Sequence, residues 1–166
     1  MSFRINGEAK EWFKNIRPEM EYDFDYYYLC LMAALAKKEK SDRDTPQAET
    51  SEITQDFPGE YRTRGRVIIA LLIKTELEMM GINLTERNEL NEHIHKLVNP
   101  LSPNGLSNEG ERLMNRYANR GFEILKEWFE NKPIELEVFL PLYMRKLDLA
   151  FEGGQPSGIW NAASSP

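Results

Sequence analysis

Apolar residues recur at helical spacing along most of the chain. The clearest run is residues 107–131, SNEGERLMNRYANRGFEILKEWFEN. At about 100° per residue, Leu113, Tyr117, Gly121, Ile124 and Trp128 share one side, widened by Met114, Ala118 and Leu125. Gly110 and Gly121 let another helix approach closely. The opposite side carries Arg112, Arg116 and Arg120, flanked by Asn115 and Asn119, then changes sign to Glu123, Glu127 and Glu130.

Upstream, EAKEWFKNI predicts a short helix over 8–16 with Trp12, Phe13 and Ile16 buried, ending before Pro18. Acids and apolar residues alternate from Glu19 to Asp25 as in a strand, yet no second clear strand follows to pair with it. A helix over about 23–38 is preferred, with acids in its first turn and Lys37 and Lys38 at its end, as the helix dipole favours. It is apolar almost all round and therefore central. Asp56 and Pro58 announce a third helix reaching Met80 and closed by Gly81, apolar on every side in its middle. Thr85 caps a fourth, to Val98, with Leu90, Ile94, Leu97 and Val98 inward, and NPLSPNGL breaks the chain after it. Pro133 opens a last helix that Pro141 kinks or splits, with Ile134, Val138, Leu142 and Leu149 as its apolar side. IELEVFL within it also alternates like a strand.

The expected fold class is all-α, a compact bundle of about five or six helices with no significant sheet. Residues 1–152 form a single helical domain, in which 41–57 is an acidic, mobile loop. Residues 153–166 form an extended C-terminal tail whose Trp160 anchors on a partner or folds back. A chain of 166 residues with 41% hydrophobic and 29% charged positions suits one soluble domain. The single Cys30 excludes an internal disulfide and fits a reducing compartment or indifference to redox. With no signal-peptide pattern and no apolar run near the ~20 residues a bilayer demands, the expected location is cytoplasmic, away from membranes.

Net charge of −6 argues against a freestanding nucleic-acid binder. It leaves room for a subunit whose basic groups share one face. Guanidinium forks bind phosphate or carboxylate oxygens two at a time, which makes Arg112, Asn115, Arg116, Asn119 and Arg120 the leading candidates. Arg116 has no acid three or four residues away. Arg62, Arg64 and Arg66 crowd a helix start, where cations oppose the dipole and need an acid or anion. Arg145 and Lys146 add a basic end to the last helix. The plain alternative is a solvated face, with Glu109 pairing to Arg112, Glu123 to Arg120, and Glu60 or the acidic loop to the Arg62 cluster. Catalytic motifs are missing, and His93 and His95 diverge on a helix, a poor zinc pair. Glu19, Asp23 and Asp25 are weak metal candidates without a histidine beside them. The expectation is no enzyme, no metal and no cofactor.

The segments RTRGRVIIALLIKTELE and ERLMNRYANRGFEILKEWF resemble the small subunit of CRISPR type I surveillance complexes (Cascade), most closely the I-D branch. The resemblance spans roughly residues 60–150. It implies copies stacked head to tail along guide RNA and target strand, holding backbone without reading sequence, with Arg112, Arg116 and Arg120 as the gripping stripe. The expected role is an accessory subunit for nucleic-acid backbone and for other protein subunits, copies of itself among them. The rival is an acidic protein–protein module of immunity, antitoxin or adaptor type, motivated by the net charge, by Trp160, and by Phe122 and Phe129, which the helix pattern leaves exposed.

Overall fold

The computed structural model describes residues 2–153; Trp160 and the tail from 154 onward lie outside the described residues. The centre of the molecule is α2 (Asp23–Lys37). Asp25 accepts the Tyr22 amide at 2.9 Å and so satisfies an orphan donor at the helix start. Arg17 pairs with Asp23, also at that end. Phe24, Tyr26, Tyr27, Cys30, Leu31, Ala33, Ala34 and Leu35 are all buried, so α2 is enclosed nearly all round. Each large apolar side chain so removed from water contributes about 1.5–3 kcal/mol.

Against α2 lies α5 (Asn108–Trp128), capped by the Ser107 hydroxyl, which accepts the Gly110 amide at 3.0 Å. Gly121 meets the Cys30 carbonyl and Gly110 meets the Leu97 carbonyl so closely that a Cβ at either place would overlap backbone. The expected close approach at both glycines is thus present. Before α2, α1 is only Glu8–Trp12, shorter than the helix expected over 8–16. The chain then turns through Ile16 into a 3₁₀ turn at Arg17–Glu19, with Trp12, Phe13 and Ile16 buried as expected.

The bundle carries a small sheet. β1 (Phe3–Asn6) runs antiparallel to β2 (Thr50–Thr54), with Ile5 opposite Ser51 and Asn6 opposite Thr50. Part of the segment read as a loop is therefore a strand. Two isolated strands are marginal in water, and β1 is held from below by α5. Asn115 Oδ1 accepts the Arg4 amide at 2.9 Å and the Tyr27 hydroxyl at 2.8 Å. Asn119 Oδ1 accepts the Asn6 amide at 2.7 Å. Phe3 packs on Phe24, Tyr27 and Phe57, with ring centroids 5.0–5.5 Å away.

Helix α3 (Tyr61–Met80) ends at Gly81, whose φ of 72° is the left-handed conformation that closes a helix. It is not enclosed on every side, since Val67 is 61% exposed. α4 (Arg87–Leu97) buries Leu97, while Leu90, Ile94 and Val98 are half-buried. α6 (Leu136–Gly153) runs unbroken through Pro141. The proline is exposed, and its missing amide frees only the Glu137 carbonyl, on the first turn. The apolar side expected for this helix is the wrong one. Ile134, Val138, Leu142 and Leu149 are exposed, and Phe139, Tyr143 and Leu147 face the core instead. The aromatic pair decides this, because Tyr143 can also donate to the Leu29 carbonyl at 2.8 Å. Phe122 is buried, not exposed: Trp12 packs edge-on against it, with centroids 6.1 Å apart. Phe129 is half-buried between Trp12 and Phe139.

Candidate functional site

The polar side of α5 does not face open solvent along its length. β1, β2 and the segment after α2 lie across it and leave a cleft of about 440 Å³, walled by Arg4, Arg112, Arg116, Gln47 and Gln55. Asn115 and Asn119 line the same cleft, but their amides are engaged in holding β1. The expected stripe divides into three kinds of arginine. Arg112 is exposed at the cleft and has no ion-pair partner among the described residues. Arg116 donates to the Ser41 and Asp42 carbonyls at 2.7 and 2.8 Å, pinning that segment to α5 while its charge stays unneutralised. Arg120 is bound to Glu39 through Nε and Nη2, at 2.9 and 2.6 Å, and to Glu127 at 3.0 Å.

The pairings expected from local spacing do not form. Glu109 pairs with Lys96 at 3.0 Å, and Glu123 with Lys126 at 2.9 Å. Arg120 instead finds Glu39, which is distant in sequence.

The Glu39–Arg120 pair has a pH signature. Burial pushes the Glu39 carboxyl up, but the Arg120 hydrogen bond and the Lys37 and Arg120 charges outweigh it, and the carboxyl titrates below its ordinary range. A folded pKa below the unfolded value gives stability that is complete above about pH 4.3 and is lost as pH falls through the folded value. The stability gap between the native protein and Arg120→Met is therefore expected to be widest at neutral pH and to narrow below about pH 4. Urea unfolding at several pH values checks it.

A second cleft, of about 600 Å³, opens on the other side of the segment 55–57, with Arg62, Arg66, Phe57, Asn104 and Ile69 on its walls. Arg62 Nε donates to the Phe57 carbonyl at 3.3 Å. Neither Glu60 nor the acidic loop neutralises this cluster: Arg62, Arg64 and Arg66 are exposed and unpaired among the described residues. Arg64 lines neither cleft, and Arg145 and Lys146 are exposed on α6, also outside both.

Two residues of this site carry little signal in the sequence. Arg4 was hidden in a strand of four residues, although the alternation Phe3-in, Arg4-out, Ile5-in was visible. Asn104 sits in a proline-rich turn. It is buried and ties the clefts together, donating to the Gln55 carbonyl at 3.2 Å and to Glu111 Oε1 at 2.6 Å.

The weaker candidates serve the fold. Asp25 accepts the Tyr61 hydroxyl at 2.7 Å as well as its capping amide, and Asp23 holds Arg17. Among the described residues no three His, Cys, Asp or Glu side chains gather as a metal set, and no helix is long and apolar enough to cross a membrane. What the two clefts offer is oxygen-binding chemistry: Arg112 on one side of a short segment and Arg62 and Arg66 on the other have no carboxylate partner among the described residues. No protein-family model, curated protein or solved structure matches this chain.

Proposed function

We propose that this protein is a non-catalytic accessory subunit that holds nucleic-acid backbone without reading sequence, in a nucleoprotein assembly of the CRISPR surveillance kind. One observation carries the reading. Arg112 in the first cleft and Arg62 and Arg66 in the second are exposed, unpaired among the described residues, and stand on either side of the segment 55–57. Cationic clefts on both sides of one short segment suit a chain of phosphates better than one small anion. Contacts of this type position a strand and carry no base information. Arg4 and Arg116 extend the first cleft. Asp44 and Glu52 temper it, and Glu52 is itself 3.4 Å from Arg4. With a net charge of −6, useful affinity arises from several copies, each adding a few contacts.

The test is fluorescence anisotropy with labelled single-stranded and duplex nucleic acid. Reversing Arg62, Arg66 and Arg112 to Glu is expected to weaken binding about 100-fold or more at low salt. Reversing Arg145 and Lys146, which lie outside both clefts, is expected to leave it within about twofold. Equal binding by the triple variant, folded by circular dichroism, would sink the proposal. The second reading, an acidic protein–protein module, no longer has Phe122 to support it but gains the exposed apolar side of α6. It expects the triple reversal to change no binding at all.

A further inference from the structure

The loop between α4 and α5 holds out the most exposed large apolar side chain among the described residues, Leu101, at 94%. A lone leucine on a surface is ordinary, but this one is not carried by a loose chain. An antiparallel bridge between Val98 and Leu106 closes the loop. Inside it the Asn99 amide donates to the Gly105 carbonyl at 2.9 Å and the Ser102 amide to the Asn99 carbonyl at 3.0 Å. The Leu101 amide itself donates to Asn99 Oδ1 at 3.1 Å, and the Ser102 hydroxyl to the Leu106 carbonyl at 2.7 Å. Pro100 and Pro103 fix two more backbone angles, and buried Asn104 ties the loop to the Gln55 carbonyl. Leu101 is therefore presented by a turn that needs little further ordering when something binds.

The same loop walls the second cleft. Its volume of about 600 Å³ lies within the roughly 300–1,000 Å³ of small-molecule sites. Phosphates alone ask only for donors, which Arg62 and Arg66 supply. Much of the remaining wall is apolar: Phe57, Ile69, Val98, Pro100 and Pro103. The two proline rings are exposed there, as are both guanidinium-bearing residues. Asp56, the acid on this wall, already accepts the Phe57 amide at 2.7 Å. The ligand that fits carries a flat apolar body next to an anion, which describes one nucleotide of a strand. Guanidinium planes also stack on bases, and leucine and proline serve as wedges between base steps.

We propose that the second cleft receives an unstacked base of a single strand. Arg62 and Arg66 hold the adjoining phosphates, and Leu101, between the cleft-lining Pro100 and Ser102, is the wedge that parts this base from its neighbour. The inference rests on the phosphate-binding reading and sharpens it: the strand is single, because a duplex would have to open before a base could enter. Contact is with the faces of the base, which all bases possess, so it tolerates any sequence.

Two labelled single strands of equal length test it by fluorescence anisotropy, one with ordinary bases and one abasic throughout, so that both carry the same phosphates. The native protein is expected to bind the base-bearing strand about tenfold more tightly. Leu101→Ser, checked for folding by circular dichroism, is expected to remove most of that preference and to leave the salt dependence unchanged, since it touches no phosphate contact. Equal, salt-sensitive binding of both strands overturns the inference and leaves the phosphate reading standing. Failure to bind either strand overturns both. A preference for bases that Leu101→Ser leaves whole overturns the role given to the wedge.

Discussion

Gly121→Ala is expected to destabilise the protein by about 3 kcal/mol or more, beyond the usual range for overpacking a core. Helix propensity alone predicts the reverse, since alanine is favoured over glycine by about 1 kcal/mol inside a helix. The contact decides the sign. A Cβ at this position would overlap the Cys30 carbonyl of α2, and a backbone carbonyl within a helix cannot rotate aside as a side chain can. Accommodating the methyl means separating α5 from α2, which loosens Tyr117, Ala118, Ile124 and Leu125 together. A domain's whole stability is typically 5–15 kcal/mol, so larger residues at this position are expected to prevent folding. Urea denaturation followed by circular dichroism measures the loss. A Gly121→Ala protein as stable as the native one would mean that the two helices are not locked at this point.

Lys40→Met is expected to cost about 3 kcal/mol, the low end for breaking a buried ion pair, because Lys40 is partly exposed. Glu76 is 4% exposed and receives Lys40 Nζ at 2.8 and 2.9 Å and the Tyr117 hydroxyl at 2.5 Å. Removing the lysine strands a carboxylate in the core with one donor left. The cost therefore belongs to the stranded charge, and neutralising it should recover part of the loss. Lys40→Met combined with Glu76→Gln is expected to be more stable than Lys40→Met alone. The comparison is a double-mutant cycle in urea. A single variant within about 0.5 kcal/mol of the native protein would show that the pair contributes nothing net.

How far the fold was legible follows from the kind of signal each element carries. α2 and α5 announce themselves because their burial is periodic or nearly complete, and the close contact at Gly121 follows from a glycine on an apolar face. α6 shows the limit of periodicity. Its two stripes, Ile134–Val138–Leu142 and Phe139–Tyr143–Leu147, are each apolar, and only the neighbours supplied by α2 and α1 choose between them. Phe122 failed for the same reason, since Trp12 of α1 widens the buried side of α5 beyond the arc its own residues define. β2 is built on TSEIT, whose strand character rests on backbone pairing with β1 and on one half-buried isoleucine. A polar composition hid it.

The candidate site was legible in its residue types and not in their state. Counting charges three and four positions away cannot find Glu39 for Arg120 or the Ser41 carbonyl for Arg116, both distant in sequence. Those partners remove Arg120 from the list of free cations and leave Arg112 on it. The same distant contacts turn Asn115 and Asn119 from candidate ligands into pegs for β1. Conversely, that Arg62 and Arg66 have no ion-pair partner among the described residues emerges only once Glu60 is seen not to reach them.

Whether arginines of the two clefts grip phosphates is decided by the salt dependence of binding to single-stranded nucleic acid. Each phosphate contact contributes about 0.7 to the slope of log K against log salt concentration. A clear negative slope is expected for the native protein. Arg62→Ala, Arg66→Ala and Arg112→Ala should each shallow it by about 0.7, and Arg145→Ala should leave it unchanged. Binding whose slope is near zero, or a slope indifferent to all three cleft arginines, would rule out phosphate contact by these residues.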